Sequence, residues 1–427
     1  MIFRPALRDW LFVVVTIVCC VRLYFMPSPP QLIEREGQSE IARVVEVDNE
    51  DLRQHGVIRF GSQLLEVEIK SGRMKGKRFT ANNELRGNLE LDKEFKVGDL
   101  ITVVVPEDAA PEETMLVARD HWRTGWGVVL FGGFCLLLVI FGGWVGFKAL
   151  LSFVFSCLAI WKLVIPLVLR GWSADWVIFG TVAILTAVIV GLVAGLSRKG
   201  VAAFIGSAAG VLAGLGMAHL FGRLMKINGA TMPYVQTLLY SGYEKISIPD
   251  IFIGAMILAS SGAMMDLAMD IASGVEEVAR HNPRLTFREL AASGLRIGRS
   301  VVGTMTTTLL LAYSGGYITL LMVFAAQGTP VMDFLNNPLV AAEAVKTLIG
   351  SFSLVLVAPL TALTAATLFA CRRTEPAAAD TCETCVGPAH AEGAPTPTCR
   401  RGKVPFRPRC RLPRRRPKPA PGCATRH

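Results

Sequence analysis

The run Gly125–Gly146, GWGVVLFGGFCLLLVIFGGWVG, carries no charged side chain and is long enough to cross a bilayer core, which takes about 20 apolar residues of helix. A second such run, 149–169, follows almost at once, and others lie at 174–196, 201–222, 251–272, about 300–326 and 345–370. Upstream, Trp10–Met26 adds one more. The whole chain agrees with this reading: 427 residues, 52% hydrophobic and 18% charged, with a mean hydropathy of +0.45. A soluble chain carries about 25% charged residues. Composition therefore excludes a soluble multidomain protein and a disordered one, and predicts a polytopic α-helical membrane protein of about eight spans.

Loop charge sets the expected orientation. Arg4 and Arg8, the Ser197-Arg198-Lys199 turn, the Arg280 to Arg299 segment and the tail after Arg372 should share one side. An even number of spans puts them all there, with both termini cytoplasmic and the chain in the cell membrane. Trp122, Trp126, Trp172 and Trp176 then fall at the outer interface. Trp10–Met26 lacks a small-x-small cleavage site, and Val18 before Cys19 spoils a lipoprotein signal, so it reads as an uncleaved anchor. The domain plan is a cytoplasmic start (1–9), the anchor (10–26), an outward domain (27–123), a seven-helix membrane domain (124–370) and a cytoplasmic tail (371–427).

Between the anchor and the second span the pattern changes. Ile41–Val47, Leu65–Ile69 and Leu100–Val105 alternate apolar and polar residues with the period of a strand, and Gly72…Gly76 and Val97-Gly98-Asp99 supply turns. About five strands in some 80 residues predict a small all-β barrel of OB or SH3 type. Its loop with Arg73, Lys75, Lys77 and Arg78 could suggest nucleic acid, but the stretch is net acidic and has no interleaved aromatics for base stacking. A module that holds a partner or gates a substrate is the better reading.

Of the formal charge of +10, +9 resides in the tail, where thirteen basic residues face four acidic ones. Cys371, Cys382, Cys385, Cys399, Cys410 and Cys423 also lie there, among ten prolines and at spacings that fit no zinc module. Cys19, Cys20, Cys135 and Cys157 sit in apolar runs, so no disulfide framework is expected. The run through Arg414-Arg415-Arg416 and Lys418 suits an anionic lipid surface.

Asp266 and Asp270, spaced i,i+4 in the sixth span, share one helical face near its cytoplasmic end. Lipid and the negative end of the helix dipole both disfavour a carboxylate there, so a proton, a cation or an arginine must compensate. The next span offers Arg296, Arg299 and the hydroxyls of Thr304, Thr306, Thr307 and Thr308. A carboxylate–arginine–hydroxyl cluster suits a proton- or ion-coupled pathway; the same residues could equally be an interhelical ion pair that fixes packing. His219 could titrate in a relay or simply pack. Glu343 and Lys346, i,i+3 after Asn337-Pro338, read as an interface pair, and Pro359 is a potential break in the last span. Gly206, Gly210 and Gly214 give the small-xxx-small pattern of close helix approach. Arg280, Arg284 and Arg288 follow from the orientation, and Thr286-Phe287-Arg288-Glu289 reads as a capping box.

Gly262-Ala263-Met264-Met265-Asp266-Leu267-Ala268-Met269 is followed by Glu276-Glu277, His281-Asn282-Pro283, Ile297-Gly298-Arg299, Gly303-Thr304-Met305-Thr306 and Leu311-Ala312-Tyr313-Ser314-Gly315-Gly316. Together these resemble the YibE/F-like family of bacterial multi-pass membrane proteins, over about residues 125–370 and with a typical outward domain before it. The resemblance implies a location and a topology, and transport as a common guess at activity. Ser300 stands where that family usually has Asp, and Thr307 where it usually has Asn.

No Walker loop is present, so this chain alone should not be an ATP-driven pump. Ser260-Ser261-Gly262 has no intramembrane histidine clearly placed to serve it, and no second aspartate motif supports an aspartyl protease. No enzyme activity, catalytic residue, metal or cofactor is expected. The leading expectation is a secondary transporter or permease; the alternative is a non-catalytic scaffold whose outward domain binds a partner. The implied partners are the bilayer, a small solute or ion, a protein on the outward domain and a second copy of the chain, with no nucleic acid.

Overall fold

The computed structural model describes residues 7–27, 37–89, 91–106 and 114–370. Arg4, the tail cysteines and the tail's basic run therefore lie outside the described residues.

The alternating segments form six strands: β1 (Gln38–Asp48), β2 (Arg53–His55), β3 (Ile58–Ile69), β4 (Arg78–Arg86), β5 (Leu100–Val105) and β6 (Leu116–His121). Strand order is β1-β5-β6-β4-β3-β2, and a further β1–β3 pairing closes the first five into a barrel with β2 appended. All pairings are antiparallel except β4–β6. Every second residue points inward, so Val44, Leu65, Val67, Ile69, Phe79, Ile101 and Val103 fill the core. Each such side chain contributes about 1.5–3 kcal/mol on burial. Phe95, from the β4–β5 connection, plugs the barrel, and the buried Gln63 amide holds it by exchanging two 3.0 Å hydrogen bonds with its backbone. Asn83 donates to Gln63 Oε1 at 3.0 Å and to the Lys93 carbonyl at 2.6 Å, so these two buried amides satisfy each other and the Phe95 loop.

The helices are α1 (Leu7–Tyr24), α2 (Thr124–Ala159), a π-helical turn Ile160–Val164, α3 (Ile165–Leu169), α4 (Ala174–Ala194), α5 (Arg198–Leu224), α6 (Val235–Tyr240), α7 (Ile248–His281), α8 (Phe287–Gly316), α9 (Ile318–Ala326), α10 (Val331–Asn336) and α11 (Pro338–Ala370). Among the described residues, five helices are long and apolar enough to cross a membrane, or six if the bent pair α8–α9 is one span; the apolar helix Trp10–Tyr24 is shorter. One of the five, Thr124–Leu169, contains both of the first two expected runs. It is not straight. Phe131 and Phe153 would stand about 33 Å apart on a continuous helix, yet their rings lie 6.0 Å apart. The chain folds back at Gly143, whose backbone (φ 51, ψ −127) is non-helical and in a region that favours glycine. Trp144 packs against Trp10 beside that reversal, with ring centroids 4.7 Å apart and the planes tilted by 45°. At the other end of the hairpin, Lys162 Nζ donates to the Met26 carbonyl at 3.0 Å, tying it to the end of α1.

One expectation changes: Pro359 does not break the last span, because α11 runs unbroken from Pro338 to Ala370. The seventh run is bent where Ser314-Gly315-Gly316 interrupts it, and the chain there turns by 63° into α9. The capping box at Thr286 is formed, with Glu289 N–H donating to its hydroxyl and its own N–H donating to the Glu289 carboxylate. Asn337 Oδ1 likewise accepts from Leu339 N–H at the start of α11.

α5 lies directly on α11. A Cβ on Gly206 would meet Thr361 Oγ1, and one on Gly214 would meet Ser353 Oγ at 2.1 Å. Replacing Gly210, whose added Cβ would come within 2.1 Å of Val357 Cγ2, by Leu should cost on the order of 3 kcal/mol through overpacking. Gly216→Leu, on the same helix but with nothing within 4 Å, should be near neutral. Thermal unfolding of the two variants in nanodiscs checks the difference.

The neck between barrel and helices is set by Asp120. Burial raises its carboxyl, but hydrogen bonds from Arg123 (2.5 Å), the His121 backbone (2.7 Å) and Lys93 outweigh this and hold it below the usual carboxylate range. A depressed folded value stabilises above the unfolded pKa of about 4 and is lost as pH falls through the folded value. Protection against hydrogen exchange at 119–124, taken relative to the intrinsic rate at each pH, should therefore fall on acidification in the wild type. In Asp120→Asn that protection should already be low at pH 7 and change little with acid.

Candidate functional site

α7 is the central helix. α4, α5, α11 and α8 pack around it and touch one another in that order, while no contact of that extent joins α8 back to α4. On the closed sides, Gly254 meets Ile178 of α4, Ile257 and Ile253 approach α5, Ser260 meets Gly350 of α11, and Ile271 meets Gly298 of α8. The remaining face carries Ala255, Ala259, Gly262, Asp266 and Asp270, all exposed. At 3.6 residues per turn these five form one stripe, which looks into the gap between α8 and α4.

The opposite wall comes from α8. Contacts of Ile271 with Gly298 and of Val275 with Gly294 fix the antiparallel register. It places Asp270 level with Ser300, and Asp266 level with Thr304. Ser300, Thr304 and Thr308 lie on the flank of α8 next to α7, and Thr307 lies on its outermost edge. Arg299 and Thr306 do not join them. One residue beyond Gly298, Arg299 is turned by about 100° toward the flank past α11.

The expected carboxylate–arginine–hydroxyl cluster is therefore only half assembled. Among the described residues neither aspartate makes a hydrogen bond or ion pair, and Thr304, Thr306, Thr307 and Thr308 all donate to carbonyls of their own helix, at 2.8–3.3 Å. The second lone pairs of Thr304 and Thr308 stay available on the cleft side. The dipole argument also changes: α7 continues to His281, about three turns past Asp270. The negative end of the helix is thus too far away to act on either carboxylate. The costs to be met are desolvation, about 2.5–3.5 kcal/mol for an aspartate at mid-membrane on insertion scales, and the mutual repulsion of the two carboxylates.

Beyond Asp270, a cavity of about 740 Å³ opens where α5, α7, α8 and α11 converge. Its wall includes the Lys199–Glu276 ion pair (3.0 Å), Arg280 and Phe369. Glu343 and Lys346 form the expected pair at 2.7 Å.

His219 is not alone. Its Nε2 lies 2.9 Å from Asp175 Oδ2, joining α5 to the first turn of α4, and Asp175 is 7% exposed. An acid in a helix's first turn reads as a dipole partner, so only its partner 44 residues away reveals a buried pair. Tyr313, within the Leu-Ala-Tyr-Ser-Gly-Gly string, packs on Gly350 with its hydroxyl buried and without a hydrogen bond among the described residues. Ser260 and Ser261 donate to carbonyls of their own helix.

Long apolar helices around an acidic face, with a β-barrel domain ahead of them, define a helical membrane protein with an N-terminal barrel. The chain belongs to the YibE/F family: the YibE/F-like protein model matches residues 130–371, and the YibE/F family N-terminal domain matches residues 35–115. No curated protein and no solved structure matches it.

A cleft lined by two carboxylates and a row of hydroxyls should hold water. In a background without the native cysteines, Ala259→Cys and Gly262→Cys should react with a membrane-impermeant maleimide. Leu137→Cys, on the outer face of the α2 hairpin, should not. Gel-shift labelling in intact vesicles reads the difference.

Proposed function

We propose that this protein is a secondary transporter or permease of the cell membrane, with Asp266 and Asp270 as its proton or coupling-ion site. The observation that carries the reading is the unpaired aspartate stripe on the central helix, opening on the α4–α8 cleft opposite Ser300, Thr304 and Thr308. Two carboxylates one turn apart repel each other when both are ionised, so a bound proton or cation relieves both the repulsion and the desolvation cost. Water and the threonine hydroxyls complete the coordination, and Arg299 acts from the far flank as a membrane-surface charge rather than as a ligand. The chemistry is binding and translocation, without a catalytic step or resident cofactor.

In this reading the chain crosses the membrane eight times. α1, both arms of the hairpin folded at Gly143, α4, α5, α7, α8 and α11 are the spans, and α9–α10 lie at the outer side. Both termini are cytoplasmic, and the outward barrel is of OB type, its third and fifth barrel strands (β4 and β6) running parallel. One observation favours the scaffold alternative. The barrel exposes Val57 (81%) and Leu89 (71%) with Ile58 and Phe60 at one pole, an apolar surface suited to a protein partner.

The test is thermal unfolding of wild type and Asp266→Asn across pH and a panel of monovalent and divalent ions and small metabolites. A ligand at 100 times its dissociation constant should stabilise the wild type by about 2.7 kcal/mol. The same ligand should leave Asp266→Asn unshifted and should then be carried in a proteoliposome flux assay by the wild type alone. If no ligand or pH shifts the wild type and the variant is merely less stable, Asp266 is a packing residue and the scaffold reading takes over.

A further inference from the structure

A second cavity, of about 260 Å³, lies at the far end of the helices from the Lys199–Glu276 pair, between the end of α5 and the start of α7. Its wall carries His219, Arg223 and Lys226 from α5 and its C-terminal turn, Asp250 and Phe252 from α7, and Val345 from α11. The side chains of Arg223, Lys226 and Asp250 make no hydrogen bond or ion pair among the described residues, whereas His219 is held in place by buried Asp175.

Two features of this cationic wall call for an explanation. The first is the backbone at Lys226. Lys226 N–H bonds to the Arg223 carbonyl and Ile227 N–H to the Gly222 carbonyl, the pair of bonds that closes a Schellman turn. Lys226 sits at the left-handed position of that turn with φ 52, where glycine is the usual residue and a side chain costs about 1 kcal/mol. A lysine is kept there, and its side chain reaches the cavity. The second is location. In the proposed topology this is the outer end of α5, where the positive-inside rule disfavours basic residues. Arg223 in the last turn of α5 also meets the negative end of that helix, but Lys226 lies beyond it.

We propose that this cavity is an anion-binding site in which Arg223 and Lys226 hold a phosphate- or carboxylate-type oxyanion. The volume is below that of a drug-sized pocket, so it suits one small anion or one headgroup rather than a large metabolite. His219 closes the wall nearest α4. Among the described residues Asp250 is the one carboxylate on this wall, and it lowers affinity. The same chemistry is offered by a free anion and by the phosphate of an anionic lipid. The site stands apart from the aspartate cleft and does not depend on the transport reading.

The test uses the full chain in nanodiscs, with thermal unfolding as readout. One arm titrates inorganic phosphate into phosphatidylcholine discs; the other replaces part of the phosphatidylcholine with phosphatidylglycerol. The site requires that at least one probe raise the melting temperature of the wild type. A response to phosphate assigns a free anion, and a response to phosphatidylglycerol alone assigns a lipid headgroup. Arg223→Gln/Lys226→Gln should weaken the response at least tenfold in apparent affinity, Asp250→Asn should tighten it, and Asp266→Asn should leave it unchanged. The single variant Arg223→Gln serves if the double one does not fold. Absence of any wild-type response, or an equal response in the arginine and lysine variants, would overturn the site.

Discussion

The membrane domain depends on how closely α5 can approach α11. Lipid is as apolar as a leucine side chain, so burial of apolar surface does not drive spans together, and contact geometry must. Gly206, Gly210 and Gly214 remove the side chains that would hold the two helices apart, leaving Thr361, Val357 and Ser353 directly on the α5 backbone. With that seam closed, α11 is near enough to touch α7 and α8 as well. Three sides of α7 are then occupied by α5, α11 and α8, and α4 covers a fourth. The uncovered arc is a consequence of this packing: four helices of these widths do not close around a fifth. Small residues and aspartates occupy that arc and apolar residues occupy the others, so the residue types along α7 match the packing helix face by helix face.

The two ends of the chain's folding problem are solved by different physics. In the barrel, closure leaves β1, β3, β4, β5 and β6 with neighbours on both sides and removes the free edges that would otherwise pair with other chains. The cost is a buried polar pair, Gln63 and Asn83, made tolerable because each amide is satisfied by the loop that carries Phe95. Between the two domains, Asp120 gathers Lys93 from the barrel and Arg123 from the start of α2. One exposed carboxylate there contributes little to global stability, but it decides how rigidly the last strand feeds the first arm of the hairpin.

Most of the architecture was legible in the sequence because its signals are local. Apolar runs of span length, the division of 125–169 into two runs, the alternation in Ile41–Val47 and Leu100–Val105, the Thr286 capping box and the glycine repeat on α5 each need a window of at most about 20 residues, although the reversal itself falls at Gly143, inside the first run. What was not legible requires distant segments to meet. The β1–β3 and β4–β6 pairings that close the barrel are of this kind, as is the Asp175–His219 pair. Arg299 is the instructive failure. Its depth was read correctly, but its side was not, because the side depends on which flank of Gly298 faces α7 and which faces α11. Pro359 illustrates the converse: a break signal in water is tolerated in a packed span, where neighbouring helices and their hydroxyls can satisfy the freed carbonyl.

The distribution of charge along the helices argues for a passage rather than for a set of structural ion pairs. A pair that merely fixes packing is most useful when both partners bond each other across an interface, as Lys199 and Glu276 do at 3.0 Å. Asp266 and Asp270 bond nothing among the described residues, although α8 offers hydroxyls at their own level and an arginine one residue away from the contact point. Replacing them with alanine-like residues would complete the small-residue stripe of Ala255, Ala259 and Gly262 and spare the desolvation cost. Two unpaired carboxylates on the open face of the most buried helix are the feature on which the proposed exchangeable occupant rests, because a permanent partner could have been built from the side chains already beside them.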